Sequence, residues 1–263
     1  MVIKNFSTKE ISSIIKALKT KNSHGYDGIS IRLLKNSATY ICSPLTYICN
    51  KCIFSGIFPD HMKFSIIRPI YKKGNKMIPT NYRPISLLTS FSKVFEKALY
   101  IRLIEHSNIN KLLVGNKFGF RKGIATEDAI FKLTNEMLNA LNNKAMAGNI
   151  FCDLEKAFDS VNHDILLSKL PYYEVSDKDK LLLESYLQNR YQRVHHHKLV
   201  SYFKHSFKMD ENKICGTAGL DFDPLLFLVY INYLPKAVEH KALPSLFSDD
   251  NSILFKSPNC IHM

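Results

Sequence analysis

The chain has 263 residues, 46% of them hydrophobic, and carries a formal net charge of +13. That length and apolar content suffice for one large or two small domains with a sizeable core, and they exclude a disordered tail. The surplus of cations points to a polyanionic partner, of which nucleic acid is the commonest. No Lys/Arg-rich amphipathic helix argues for a membrane surface instead.

The longest apolar run, PLLFLVYI at residues 224–231, stops at Asn232, far short of the ~20 residues of a spanning helix. The N-terminus lacks a charged-then-apolar leader. The expectation is an intracellular protein, nuclear or cytoplasmic, and not a secreted one. Among six cysteines, Cys49 and Cys52 have a zinc-like spacing without a second pair, which favours free thiols over a zinc or redox site. The run His195, His196, His197 beside Arg190 and Arg193 reads as a solvated stretch.

In chain order, Ser7 and Glu10 form a capping box, and Ile11, Ile14, Ile15 and Leu18 repeat at helical spacing. HGYDG (24–28) is a turn. A second helical region runs from residue 30 toward residue 54, interrupted near Pro44. Residues 64–71 are β-branched and aromatic and predict a strand. Residues 72–76 make a basic hairpin tip and 81–86 the return limb. Such a tip is either a solvated turn or a grip for a triphosphate, given the Arg donor fork and the mobile Lys charge. From residue 86 to about 105, Leu87, Leu88, Phe91, Val94, Phe95, Ala98 and Leu99 form one helical face. FGFRKG (118–123) suits base stacking with phosphate contacts or ordinary turn chemistry. Thr126 caps a helix whose expected core face is Ile130, Leu133, Met137 and Leu141.

Residues 150–154, after Gly148 and Asn149, predict a buried strand with Asp153 near its end. A buried carboxylate is costly unless compensated, so Asp153 is either the cap of the following turn or a metal ligand. Short helices follow before Pro171 and from the Ser176–Asp179 cap to about Asn189, then an expected hairpin over 191–207. Pro224 opens a further helix. LFSDDNSILF (246–255) predicts strand, tight turn, strand, with Asp249, Asp250 and Asn251 in the turn. Two strand ends would thus bring carboxylates together. Such oxygen-rich sites suit Mg²⁺, and paired Mg²⁺ ions serve in-line phosphoryl transfer.

FCDLEKAFD (151–159) and FSDD (247–250) resemble the two metal-binding motifs of reverse transcriptases, above all those of non-LTR retrotransposons such as the jockey-like elements. SGIFP (55–59), PIYKKG (69–74), NYRPISLL (81–88) with KVFE (93–96), FGFRKG and PLLFLVYIN (224–232) extend the resemblance, in order, over nearly the whole chain. It implies an α+β right-hand polymerase with an antiparallel palm sheet backed by helices. Residues 1–145 would be fingers and an N-terminal helical region. Residues 146–263 would be the palm, with a finger segment at about 165–210.

The same resemblance implies that Asp153, Asp249 and Asp250 are the catalytic carboxylates and the ligands of two Mg²⁺ ions, with Mn²⁺ as a substitute. It makes Lys73, Arg83 and Gly219 nucleotide-binding residues, and Phe158 a steric gate that favours deoxynucleotides. The expected partners are an RNA template, a DNA primer and dNTPs, and the expected activity is RNA-directed DNA polymerisation. Two departures favour the alternative of an inactive remnant that still binds nucleic acid. Where the family writes GVPQGSxLGP, this chain has CGTAGLDFDP (215–224). Ala218 stands for Gln, Leu220 for Ser and Asp223 for Gly, and an acid at 223 would compete for the metal or misplace it. The chain also ends thirteen residues after Asp250, so a thumb is expected to be absent, and no endonuclease is expected upstream. A metal nuclease would use similar carboxylates but has no use for the finger and gate motifs.

Overall fold

A computed structural model describes residues 1–114, 119, 126–154, 157, 160–194, 222–238, 242–247 and 250–257, with the backbone alone for Asp250. In chain order the elements are α1 (Thr8–Ala17), α2 (Ile31–Asn36), α3 (Ala38–Ser55), β1 (Phe64–Tyr71), β2 (Tyr82–Leu88), α4 (Ser90–Ile109), α5 (Thr126–Asn142) and β3 (Met146–Asp153). There follow α6 (His163–Lys169), α7 (Asp177–Leu187), β4 (Tyr191–Val194), α8 (Phe222–Tyr230), α9 (Leu234–Val238), β5 (Leu243–Phe247) and β6 (Asp250–Ser257). This is a mixed α+β chain with two small sheets, as the family resemblance implies at that level. Among the described residues, no helix is long and apolar enough to cross a membrane. The chain divides into two compact units, Met1–His106 with Phe158–Asp223, and Ser107–Ala157 with Pro224–Met263.

The first unit begins with the capping box. The Ser7 side chain accepts from the Glu10 amide and the Glu10 carboxylate accepts from the Ser7 amide, while α1 buries Ile11, Ile14 and Ile15. The helical region expected to break at Pro44 breaks at Ser37 instead, and α3 runs through Pro44. A proline inside a helix deprives the carbonyl four residues earlier. Here that residue is Tyr40, 83% exposed, so water can take the partner's place. Helix α4 starts at Ser90 rather than Ser86, because residues 86–88 finish β2.

The sheet of this unit has the order β2-β1-β4. Strands β1 and β2 are antiparallel, from Ser65 opposite Leu88 to Tyr71 opposite Tyr82. Strand β4 joins the other edge of β1 in parallel, from Phe64 opposite Tyr191 to Ile67 opposite Val194. Of the hairpin expected over 191–207 only Tyr191–Val194 is described, and it pairs with β1; residues 195–207 lie outside the described residues. Parallel pairing requires a long connection, which local turn signals cannot reveal.

The largest fully buried side chains of this unit are aromatic. Phe58 stacks on Phe95 with ring centroids 5.2 Å apart, and Tyr186 meets Phe58 and Phe222 edge-on at 5.0 and 5.2 Å. Offset and edge-to-face pairs of this kind add to the stabilisation of area burial.

The second unit is a three-stranded antiparallel sheet of order β3-β6-β5 with α5 and α9 against it. Asn232 ties its loops, accepting from the Val114 amide and donating to the Leu112 carbonyl. Two expectations fail here. Ile130 and Leu141 of α5 are 59% and 64% exposed, and the buried residues are Ala129 and Ala140. Small side chains let the helix lie close to the sheet, which displaces its larger ones. Likewise residues 150–154 are not a buried strand, since Ile150 and Phe151 are 51% and 73% exposed. Among the described residues, strand β3 is an edge strand, paired with β6 alone.

Candidate active site

Two of the acids singled out in the sequence are strand partners at the end of the second sheet. Asp153 is the last residue of β3, Asp250 the first of β6, and the register makes them direct partners. Opposed residues of an antiparallel pair lie roughly 4.5–5.5 Å apart at Cα. Phe247, last residue of β5, pairs with Asp250 from the other side. Only Ser248 and Asp249 link the two strands, and both lie outside the described residues, as do Phe158 and Gly219. Asn251, expected in the turn, belongs to β6 instead and is buried, opposite Cys152 and Leu246. The central strand claims it because it completes both ladders.

A register that opposes two acids costs the sheet stability unless a cation intervenes. An exposed strand end with hard carboxylate oxygens has the donor chemistry Mg²⁺ takes. Only the residue types, Asp beside Asp, argue for such an ion here. Asp153, Asp250 and their neighbour Asp249 would hold it. Among the described residues no group of three metal-ligating side chains occurs. Beside Asp153 opens a cavity of about 370 Å³, walled by Ala129, Ile130 and Leu133 of α5, Phe151 of β3 and Phe247 of β5.

Lys73 and Arg83 belong to the first unit. Lys73 is exposed in the tip that follows β1, and Arg83 is exposed in β2 opposite Ile70. The tip is built by its own hydrogen bonds. The Lys72 amide donates to the Asn81 carbonyl, the Tyr71 hydroxyl to the Gly74 carbonyl, and the Tyr82 hydroxyl to the Lys76 carbonyl. Gly74 has φ +90°, and a Cβ there would meet Asn81 Nδ2 at 2.8 Å, so the turn needs glycine.

Asp223 is buried. Its carboxylate accepts from the buried Tyr186 hydroxyl at 2.7 Å. Arg190 lies over the Tyr186 ring at 4.4 Å and 3.6 Å from the Glu96 carboxylate. Burial, and after it Asp223, push the Glu96 carboxyl up to about 8, against the pull of Arg190. Arg190 stays charged, because Tyr186, Glu96 and Asp223 outweigh its desolvation. Arg190 is thus the cation of the cluster, with the Glu96 carboxyl as its ion-pair partner. Sequence reading missed this cluster. Its members lie up to 127 positions apart, and each alone looks like an ordinary polar residue.

Cys42, Cys49 and Cys52 are free and line the buried face of α3. Burial pushes the Cys49 thiol up to about 12 and the Cys52 thiol to about 11, which makes them core residues rather than thiolate ligands.

Comparison with known proteins agrees with the motifs. The family model described as reverse transcriptase (RNA-dependent DNA polymerase) matches residues 70–262. Two Drosophila melanogaster relatives, a probable RNA-directed DNA polymerase from transposon BS and one from transposon X-element, are 32% and 29% identical over 98% and 100% of this chain. The RNA-directed DNA polymerase from mobile element jockey of the same species is 29% identical over 96%. The chain spans only 28% of the length of each of these relatives. It belongs to the reverse transcriptase family, as the reverse transcriptase domain of a jockey-like non-LTR retrotransposon.

Proposed function

We propose that the chain extends a DNA primer on an RNA template, with Asp153, Asp249 and Asp250 as the catalytic carboxylates. The observation that carries this reading is the register placing Asp153 opposite Asp250 at one end of the second sheet. Two Mg²⁺ ions, or Mn²⁺ in their place, would activate the primer 3′-OH and stabilise the departing pyrophosphate when bound. The protein's own work is then positioning and electrostatics. The three acids would hold those ions, since carboxylates bind cations and repel phosphates. Lys73 and Arg83 hold the triphosphate, with Arg83 offering a planar donor fork. Phe158 crowds the ribose 2′ position, and Gly219 gives the nucleotide close access to backbone.

In this reading the sheet of the second unit is the palm and the β1–β2 hairpin belongs to the fingers. The palm falls within residues 146–263 and the N-terminal helical region and fingers within 1–145. The grouping of residues 158–223 with the N-terminal segment supports a finger segment at about 165–210 inserted into the palm.

The test is primer extension on an RNA template with dNTPs and Mg²⁺, run beside Asp249→Asn. Extension that disappears in the variant establishes the polymerase. Ala218 and Leu220, which stand where the family writes Gln and Ser, favour a second reading, a remnant that binds nucleic acid without turnover. It predicts well-folded protein with salt-sensitive RNA binding and no extension.

A further inference from the structure

At the opposite end of β1 from the basic tip, three aromatic rings lie in a row. Phe64 stacks on Tyr191 with centroids 5.1 Å apart and planes at 18°, and Tyr26 meets Phe64 edge-on at 5.6 Å. Core packing does not account for them, since Tyr26, Phe64 and Tyr191 are 47%, 39% and 51% exposed. Strand alternation puts Phe64, Ile66, Arg68 and Ile70 of β1 on one face of the sheet. The ladders add Tyr191 and Arg193 from β4, and Leu87, Ile85 and Arg83 from β2. Arg68, Arg83 and Arg193 are exposed, and none of these nine residues is acidic.

The row is built rather than incidental. Tyr26 sits in a turn clamped to the sheet. A Cβ on Gly25 would lie 2.7 Å from the Thr89 amide nitrogen, so only glycine lets the turn approach. His24 and Ser30 pair as an isolated bridge, and the Ser90 hydroxyl donates to the Ile29 carbonyl at 2.6 Å. The Tyr26 hydroxyl donates to the His61 carbonyl at 2.8 Å, which fixes the ring over β1. The acids that flank Tyr26 and His61 in sequence are engaged elsewhere. Asp27 accepts from the Ile29 amide, and Asp60 pairs with Lys63 at 2.9 Å.

We infer that this open face is a platform for unpaired nucleic acid, with bases stacked on Tyr26, Phe64 and Tyr191 and phosphates held by Arg68 and Arg193. Exposed rings alone would suit many partners. Rings aligned along an acid-free, arginine-bearing sheet select a polyanion with flat apolar units, which is single-stranded RNA or DNA. Duplex does not fit, because its bases are stacked on each other and closed to the rings. The inference deepens the proposed function and rests on it only for the identity of the strand as template.

The experiment is fluorescence anisotropy with a labelled 12-nucleotide oligo-U, its DNA counterpart, and strands of equal charge carrying abasic sites, all in EDTA. Intact strands should bind about tenfold or more tighter than abasic ones, since each stacked base contributes roughly a 5- to 100-fold gain. Tyr191→Ala should erase most of that ratio, and so should Tyr191→Leu, which still covers Phe64 with apolar bulk and so guards against loss of fold. Arg68→Gln and Arg193→Gln should weaken intact and abasic strands alike and flatten the salt dependence by about 0.7 in log–log slope for each phosphate no longer held. Equal binding of intact and abasic strands by the unaltered protein overturns the platform without needing any variant. So does a ratio unchanged in both Tyr191 variants. No metal or turnover enters, so a protein that fails to polymerise still answers the question. One that polymerises with a ratio of one refutes the platform alone.

Discussion

In the first unit the largest rings and a set of charges are buried together, whereas in the second the largest apolar side chains of α5 and β3 stand in water. Phe58 and Phe95 are 0% exposed, while Phe131 and Phe151 are 74% and 73% exposed. The first unit also holds charged groups in pairs, such as Glu10–Arg102 at 2.6 Å, and bonds the Tyr186 hydroxyl to Asp223. The second places two acids opposite each other on a short sheet, against its own stability. The contrast teaches where the chain invests in cohesion and where it invests in chemistry. On the function proposed above, a unit that presents arginines and rings on a fixed sheet would gain from a stiff interior, and one that gathers carboxylates around cations would accept a weaker metal-free state.

The sharpest break of that contrast is Asp153→Asn. Primer extension should fall by about a thousandfold or more, since a metal-bridging carboxylate supports several kcal/mol of transition-state charge. Thermal unfolding of the metal-free variant should shift slightly upward, by a few tenths to about 1 kcal/mol, because two like charges no longer face each other. A metal-free variant less stable than the parent would count against the opposed-acid reading.

Next in size is Phe58→Ala, expected to cost about 3–5 kcal/mol as a fully buried aromatic removed from a packed core. Tyr186→Phe should cost about 1.5–3 kcal/mol, because it leaves the Asp223 carboxylate without its buried donor. Urea midpoints measure both. A Tyr186→Phe variant as stable as the parent would show that the charge cluster does not hold this unit together.

The pH dependence follows from Glu96. Folding raises its pKa from 4.5 to about 8, so the folded state favours the protonated form. The stability it contributes is fully present below about pH 4.5 and is lost as pH rises through about 8. Denaturation midpoints should therefore fall between pH 6 and pH 9, and Glu96→Gln should flatten that decline. The smallest effect is expected at Phe151→Ser, within about 0.5 kcal/mol, since an exposed side chain has little to lose. A large loss there would mean that β3 is covered in solution and that the two units are more alike than their exposures indicate.

Much of the local structure was legible. The Ser7 capping box, the β1–β2 hairpin around Lys72 to Lys76 and the two-residue link between β5 and β6 all follow from residue types at short range. The helix beginning at Thr126 was legible as a helix but not in its orientation. Periodicity marks an apolar stripe, yet Ala129 and Ala140 were buried in preference to Ile130 and Leu141. Close approach to a sheet rewards small side chains, and the stripe does not encode that distance. The buried strand at 150–154 failed for a related reason. Apolar content predicts a strand's preference for burial, while its place at the edge of the sheet decides whether burial occurs.

What the sequence determined by itself was chemistry and order, namely which acids, arginines and rings exist, in which motifs, and hence the family. Spacing within a motif is read along the chain, so it survives without knowledge of the fold. Only the tertiary structure decided which distant residues meet. Asp153 and Asp250 became partners through strand register, Phe64 and Tyr191 through a parallel pairing across 127 positions. Asp223 became the acceptor of the buried Tyr186 hydroxyl. Those outcomes depend on burial and register, which are properties of the whole chain packed at once.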